Sequence, residues 1–281
     1  MNKKSLCVLS FLMLNLFLST ILYADKIKTA KNLIYKAGST NEKHELDIYY
    51  PADTKKVRDV VFFIHGGGWS SGKKDTYWFL GRNFAKKGIV FVAINYRVGG
   101  ENSYQNMAED CVKALNYINL NVNKFGGNPS RIFLSGHSAG AHLAALIAMS
   151  PEFNQTENPM AKGIILNDPF GLDLLDYFTN TPTTITAQYK PPFGENKEVW
   201  INAAPITYVS KNEIPILVLN GSKTYPAILR DSDLFVKELK REKKNHNFIM
   251  IKGKKHVGMM SQMVWRNSKM YTYYLDFMKS N

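Results

Sequence analysis

The chain alternates between short runs of β-branched or aromatic residues and longer stretches with helical periodicity. Several of the short runs are apolar throughout, which is typical of strands buried on both faces of a sheet. Strands that alternate with helices indicate a parallel sheet covered by helices, so the sequence predicts an α/β fold. The strand-like runs are His44–Tyr50, Val60–His65, Ile89–Tyr96, Arg131–Ser135, Gly163–Asn167, Ile216–Asn220 and Phe248–Ile251.

Helical patterns fill most of the intervals between these runs. In the last of them Met, Tyr and Phe recur at helical spacing, which favours core packing. An irregular stretch, rich in Thr, Pro and aromatic residues, predicts a small cap at about residues 173–208, because long structured insertions often form lids. The helical patterns cover about Asp75–Lys87, Asn106–Phe125, Ser138–Met149, Asp231–Lys243 and Met259–Met278.

The first 24 residues have the pattern of a secretory signal peptide. Lys3 and Lys4 precede an apolar run from Leu6 to Leu22, and Ala24 offers a small residue for cleavage. The run is short for a membrane span, which needs about 20 residues. We therefore expect cleavage near Ala24, a secreted or periplasmic location, and one domain over residues 25–281 with no stable membrane span.

The charge and the cysteines exclude several classes of site. The net charge is +13, but the densest lysine cluster, Lys237 to Lys255, alternates with acidic and apolar residues. This pattern is typical of a solvated surface and not of a nucleic-acid or membrane patch, so no nucleic-acid partner is expected, although a basic surface suits anionic partners or an anionic envelope surface. Cys7 lies in the signal segment, which leaves Cys111 without an intramolecular disulfide partner, and we expect a buried structural thiol.

A glycine motif, Gly136-His137-Ser138-Ala139-Gly140, lies between a predicted strand and an apolar helix. This strand–turn–helix context is that of a nucleophile elbow, in which glycines permit the sharp turn. The turn holds the Ser138 hydroxyl above the sheet edge. The N-terminus of the next helix directs partial positive charge at a developing oxyanion. Ser138 is therefore the candidate nucleophile.

A second glycine run, His65-Gly66-Gly67-Gly68-Trp69, directly follows a predicted strand. Successive glycines let backbone N–H groups approach a substrate oxygen closely. The N–H groups of Gly67 and Gly68, joined by that of Ala139, are the candidate oxyanion hole.

One histidine, His256, follows the last predicted strand and precedes the C-terminal helix. The imidazole of a histidine suits a base that takes the serine proton and returns it to the leaving group. His65 and His137 belong to the glycine motifs and are expected to be structural. His44 and His246 are expected at the surface.

At these motifs the sequence resembles the single-domain esterases of the α/β-hydrolase superfamily, which include kynurenine formamidases, feruloyl-esterase-like proteins and relatives of hormone-sensitive lipase. The resemblance covers nearly all of residues 44–278. It implies a mostly parallel eight-stranded sheet with helices on both faces, and an acyl-enzyme mechanism on small esters or amides with no metal or cofactor. The matching stretches are His65–Trp69 with Gly72-Lys73, Val92–Arg97, Asp110, Asn128–Ile132, Gly136–Ala145 and Ala204–Thr207.

The sequence departs from this family at the triad acid. In the family the acid usually falls three residues after the glycine that ends the penultimate strand, and here that residue is Thr224. Three interpretations stay open. The acid comes from elsewhere, such as Asp168 or Asp173. Alternatively, a Ser–His pair works with Thr224 or water as orienter, or the protein is a weak or inactive hydrolase retained for binding.

The function expected from the sequence is a serine-dependent carboxylic-ester hydrolase that acts on small ester or formamide substrates through an acyl-enzyme. The alternative from another class is a non-catalytic binding protein that uses the hydrolase cleft. A peptidase is disfavoured, because the sequence offers no propeller or large specificity domain. The substrate and the oligomeric state do not follow from the sequence.

Overall fold

The computed structural model describes residues 26–154 and 161–281. The predicted signal segment, residues 1–24, lies outside the described residues. In the two described ranges, no helix is both long and apolar enough to cross a membrane.

Eight strands form one mixed sheet in the order β1-β2-β4-β3-β5-β6-β7-β8. The pairs β1–β2 and β2–β4 are antiparallel, and all other neighbours are parallel. This mostly parallel sheet confirms the predicted architecture. The strands are β1 (Ile27–Ile34), β2 (Glu45–Pro51), β3 (Arg58–Ile64), β4 (Val90–Ile94), β5 (Gly127–His137), β6 (Gly163–Asn167), β7 (Ile216–Gly221) and β8 (His246–Ile251).

Helices cover both faces of the sheet. Phe62 of β3 packs in the core cluster with α2, α3 and α7, whereas its neighbour Phe63 packs in the cluster with α1 and α9. Alternate side chains of a strand point to opposite faces, which explains why the central strands are apolar throughout. The helices are α1 (Trp78–Lys86), α2 (Tyr104–Asn121), α3 (Ala139–Met149), α4 (Leu174–Asn180), α5 (Thr183–Thr186), α6 (Lys197–Ala203), α7 (Pro226–Arg241), α8 (His256–Ser261) and α9 (Lys269–Ser280).

The segment predicted as a cap contains short helices that follow β6. Helices α4, α5 and α6 lie in it, together with 3₁₀ turns at Ala187–Tyr189 and Pro205–Lys211. Aromatic side chains of this segment pack on one another and on Trp69 of the second glycine run. The insertion therefore lies next to that glycine run.

Two local expectations from the sequence are wrong, and one strand was missed. The helix predicted over Met259–Met278 is broken into α8, a 3₁₀ turn and α9, because Asn83 of α1 donates hydrogen bonds to the Met263 and Val264 carbonyls at the break. Strand β1 was not predicted, since this antiparallel edge strand is mostly exposed and carries little apolar signal. His44 is buried beside Tyr35.

Candidate active site

Ser138 occupies the turn between β5 and α3, with a φ of 56°. A non-glycine residue rarely adopts this left-handed backbone, and such strain concentrates at functional sites. The flanking glycines are required by close contacts. A Cβ on Gly136 would lie 2.3 Å from the Gly140 carbonyl, and one on Gly140 would lie 2.2 Å from the Ile64 oxygen. The turn has the form of a nucleophile elbow.

The glycine run after β3 lies beside this turn. Gly67 and Gly68 have φ values of 131° and 57°, and both line the same cavity as Ser138. The hydrogen bonds found within residues 26–154 and 161–281 do not use the backbone N–H of Gly67 or Gly68. Ala139 is the first residue of α3, so its N–H has no intrahelical acceptor either. Three backbone donors are thus available at this point.

His256, the first residue of α8, contacts the carboxylate of Asp168 directly after β6. His256 Nδ1 lies 2.6 Å from Asp168 Oδ2. A carboxylate only accepts, so Nδ1 is the donor, which leaves Nε2 for the proton of another group. Asp168 is fully buried and Ser138 is 7% exposed. His256 and Ser138 line one cavity.

Thr224 lies at this carboxylate too. Its hydroxyl donates a short hydrogen bond to Asp168 Oδ2, the same oxygen that faces His256. The Gly221 N–H donates to the other oxygen, Asp168 Oδ1, at 2.9 Å. The residue at the family's usual acid position therefore contacts a carboxylate from the preceding strand.

Asp173, the other candidate acid, lies elsewhere. Its side chain caps α4 by accepting the Asp176 N–H at 3.0 Å, and burial raises its pKa. Among the described residues, no contact joins Asp173 to His256. Of the three candidate acids and orienters, Asp168 thus contacts His256, Thr224 contacts Asp168, and Asp173 takes no part in these contacts.

His137, expected to be structural, packs directly against His256. The two rings stack with centroids 4.5 Å apart, and His137 Nε2 donates to the His256 carbonyl at 3.3 Å. Burial, with the nearby His256 as a second cause, lowers the pKa of His137 to about 3. His137 is therefore neutral at physiological pH and adds no charge beside His256.

His142 of α3 links the second glycine run to the end of α6. It accepts the Trp69 Nε1–H at 3.2 Å and donates from Nε2 to the Ala203 carbonyl at 2.7 Å. These two bonds need a neutral ring, and burial lowers the pKa of His142 to about 4. The sequence motifs give no sign of these long-range partners.

One buried carboxylate was missed by sequence reasoning. Asp231 of α7 accepts the backbone N–H groups of Gly171, Leu172 and Asp173 at 2.7, 2.8 and 2.6 Å. Burial raises its pKa to about 7, and the three donors oppose that shift. Asp231 lies three residues after Ile228 and four before Phe235, which places it on the buried face of α7. This helical spacing is the sequence signal that could have identified it.

The cavity that contains Ser138 has a volume of about 920 Å³. Aromatic side chains form much of its wall. Among the described residues that line the cavity, Arg230 is the one charged residue besides the ionisable His137 and His256. Arg230 is paired with Asp176 of α4 at 2.6 Å. The wall also includes Tyr77, Phe170, Tyr177, Ile185, Tyr189 and Tyr225. A pocket of this size and character suits a small, mainly apolar ligand.

The BD-FAE family model matches residues 46–239, and this range is more than half of the chain. The chain belongs to the BD-FAE family. This BD-FAE chain is 28% identical over 240 residues to the probable isoprenylcysteine alpha-carbonyl methylesterase ICME of Oryza sativa subsp. japonica, an alignment that covers 78% of this chain and 56% of the rice protein. It is 26% identical to the kynurenine formamidase of Danio rerio, over 80% of this chain and 75% of that protein.

A solved structure resembles the BD-FAE chain over almost its full length. The inhibited esterase B from Lactobacillus rhamnosis superposes with a TM-score of 0.79 and 18% identity, covering 99% of this chain and 96% of the other. At this identity the likeness shows the fold, and the predicted α/β-hydrolase fold class is confirmed. The chain spans little more than half the length of the rice relative.

Proposed function

We propose that this BD-FAE protein is a serine-dependent carboxylic-ester hydrolase that acts on small ester substrates. The observation that carries the proposal is the 2.6 Å contact between His256 Nδ1 and Asp168 Oδ2 at the cavity that Ser138 lines. A serine on an elbow, an imidazole and a buried carboxylate are the parts of an acyl-transfer triad, recognised by their geometry and roles.

In the proposed reaction, Ser138 Oγ attacks the ester carbonyl while His256 Nε2 takes its proton. The resulting oxyanion accepts hydrogen bonds from the Gly67, Gly68 and Ala139 N–H groups. His256 then protonates the leaving alcohol as the tetrahedral intermediate collapses to the acyl-enzyme. Water attacks the acyl carbon, His256 takes the water proton, and Ser138 leaves with that proton as the carboxylic acid is released.

The proposed acid is Asp168, with Thr224 as a second donor to its carboxylate. Asp168 accepts hydrogen bonds from His256, Thr224 and the Gly221 N–H, and these three donors hold its carboxylate against the imidazole. An ionised carboxylate at Nδ1 stabilises the imidazolium that forms during the reaction. This contact argues against the Ser–His pair without an acid and against Asp173 as the orienter.

The substrate class follows from the cavity wall and from the relatives. A mainly apolar wall around Ser138 favours a neutral, partly apolar ester over a polyanionic substrate. The names of the rice and zebrafish relatives, a methylesterase and a formamidase, support small ester or formamide substrates for this chain as well. The secretory pattern of residues 1–24 supports a secreted or periplasmic site of action.

The test is active-site labelling combined with turnover. A fluorophosphonate probe is expected to label the wild-type chain and not Ser138→Ala, and the wild type is expected to hydrolyse p-nitrophenyl esters of short acids. The matched control is Ser135→Ala. Ser135 is a buried serine of β5, and its hydroxyl hydrogen-bonds the Tyr274 hydroxyl of α9. Absence of both labelling and turnover across acyl lengths would refute the hydrolase and favour the non-catalytic binding protein.

A further inference from the structure

A group of large apolar side chains lies exposed beside the candidate active site. Trp265 is 71% exposed, Val257 69%, Val264 49% and Trp78 48%. We refer to these four residues as the apolar ledge. Exposed apolar groups that lie close together on a protein surface mark sites of interaction.

The apolar ledge borders the cavity that contains Ser138. Tyr77 and His256 line that cavity, and the ledge residues Trp78 and Val257 directly follow them in the chain. Asn83 of α1 donates to the Val264 carbonyl at 3.1 Å, which brings α1 against the turn that carries the rest of the ledge. The ledge residues thus lie on α1, on α8 and on the turn after α8, and α1 packs against that turn.

The two segments that carry the ledge are basic. Residues 76–88 and 252–269 contain no Asp or Glu, and the nearest acid in sequence, Asp75, lies 3.6 Å from the Lys74 amine. The two segments also lie close to each other. Burial is the main cause that lowers the pKa of Lys87 in the first segment, and the charge of nearby Arg266 in the second segment lowers it further. The basic residues of the segments are Arg82, Lys86, Lys87, Lys252, Lys254, Lys255, Arg266 and Lys269.

We infer that the apolar ledge is a docking surface for an anionic lipid bilayer. Trp side chains favour the boundary between lipid headgroups and acyl chains, and clustered Lys and Arg are attracted to an anionic membrane surface. Six lysines lie in the two segments that carry the ledge, whereas lysine is depleted at protein–protein interfaces, so the composition favours lipid over a protein partner. This orientation sets the cavity mouth against the membrane. On the proposed function, it gives Ser138 access to lipophilic esters held there.

The test is flotation of the processed chain with vesicles. Residues 1–24 are removed, since their apolar run would bind lipid by itself, and all described strands and helices lie after residue 26. The wild type is expected to float with mixed phosphatidylcholine–phosphatidylglycerol vesicles and not with phosphatidylcholine alone. The double variant Trp78→Ser/Trp265→Ser is expected to stay unbound. Each charge removed by Lys254→Gln and Lys255→Gln is expected to weaken binding about fivefold.

Matched controls lie on the opposite face of the sheet. Leu120→Ser removes a side chain that is 78% exposed on α2, and Lys240→Gln removes an exposed charge on α7, so both are expected to float like the wild type. Tryptophan fluorescence gives a second measurement, because Trp69 and Trp200 are 0% and 5% exposed. A blue shift on vesicle addition therefore reports on Trp78 and Trp265.

The outcomes separate docking from catalysis. Ser138→Ala is expected to float like the wild type, and Trp78→Ser/Trp265→Ser is expected to hydrolyse a soluble short ester at the wild-type rate. Equal binding to both vesicle types, retained flotation of the double tryptophan variant, or equal loss in Leu120→Ser would overturn the inference. Binding to neither vesicle would also overturn it and would direct the search to an acidic macromolecule.

Discussion

At the scale of single residues, the Asp168 carboxylate is where the structure adds most to the alternatives that the sequence left open. Its two oxygens accept from the Gly221 N–H, the Thr224 hydroxyl and His256 Nδ1. Three donors hold this buried carboxylate in position, which is what an orienting acid requires. The threonine at the family's acid position thus contacts an acid that follows the neighbouring strand.

Replacing this carboxylate tests the proposed acid. Asp168→Asn is expected to lower kcat for ester hydrolysis by about 10⁴, because the amide neither stabilises the imidazolium nor enforces the required tautomer. Fluorescence-monitored unfolding shows whether the variant is folded. Asp173→Asn is the matched control and is expected to retain the rate within a small factor. An Asp168→Asn enzyme with wild-type turnover would contradict the assignment.

The contact between Thr224 and Asp168 makes position 224 a second place for the acid. In the Asp168→Asn background, Thr224→Asp is expected to recover part of the lost rate, since its carboxylate would lie within one side-chain length of His256. In the wild-type background, the same substitution is expected to lower activity, because two adjacent carboxylates in a buried site cannot both ionise. Steady-state turnover of the four enzymes measures both effects. Thr224→Asp without effect in either background would contradict the proposed geometry.

At the scale of elements, Asp231 joins helix α7 to the segment between Asp168 and the cap. Its carboxylate accepts three consecutive backbone N–H groups, those of Gly171, Leu172 and Asp173. These bonds fix the start of the insertion relative to the strand end that carries Asp168. The elements on either side of the site are therefore coupled through one side chain.

Removing that side chain tests the coupling. Asp231→Ala leaves three buried donors unpaired, each worth about 1–3 kcal/mol, so the free energy of unfolding is expected to fall by about 3 kcal/mol or more. Urea unfolding measures the loss, and ester turnover is expected to fall with it. Asp233→Ala, an exposed position on the same helix, is the control and is expected to change stability by no more than about 0.5 kcal/mol. Equal losses in the two variants would refute the coupling.

How far the sequence predicts these elements depends on what each one packs against. Central strands such as β6 are buried on both faces, and their apolar runs identify them, whereas the exposed edge strand β1 carries little signal. The Met259–Met278 stripe reads as one helix, because the break is fixed by Asn83, a residue distant in sequence. Motif spacing located Ser138 and His256, but it does not reveal which strand end delivers a carboxylate to His256.

At the scale of the whole molecule, buried histidines couple the fold to pH. Three of them lie along the two glycine motifs and the helix that follows, and burial lowers each pKa. The values are about 4 for His65, about 3 for His137 and about 4 for His142, against 6.5 for an exposed histidine. All three are neutral in the folded protein above pH 6.5.

The sign of the pH dependence follows from these values. Between pH 6.5 and about 4 the unfolded chain binds protons at these histidines and the folded chain does not, so stability falls as the pH falls. His65 and His142 are each expected to contribute up to about 3 kcal/mol to that loss, at about 1.4 kcal/mol per pH unit. Urea unfolding at a series of pH values from 8 to 4 measures the slope.

His142→Gln isolates the contribution of one histidine to this slope. Glutamine keeps an acceptor for the Trp69 indole N–H and a donor for the Ala203 carbonyl, but it does not titrate. The variant is therefore expected to unfold with a shallower pH dependence than the wild type below pH 6.5, while their stabilities at pH 8 stay close. Leu120→Ser, at an exposed position that does not titrate, is the control and is expected to leave the slope unchanged. If His142→Gln retains the full wild-type slope, acid destabilisation does not arise from protonation of this ring.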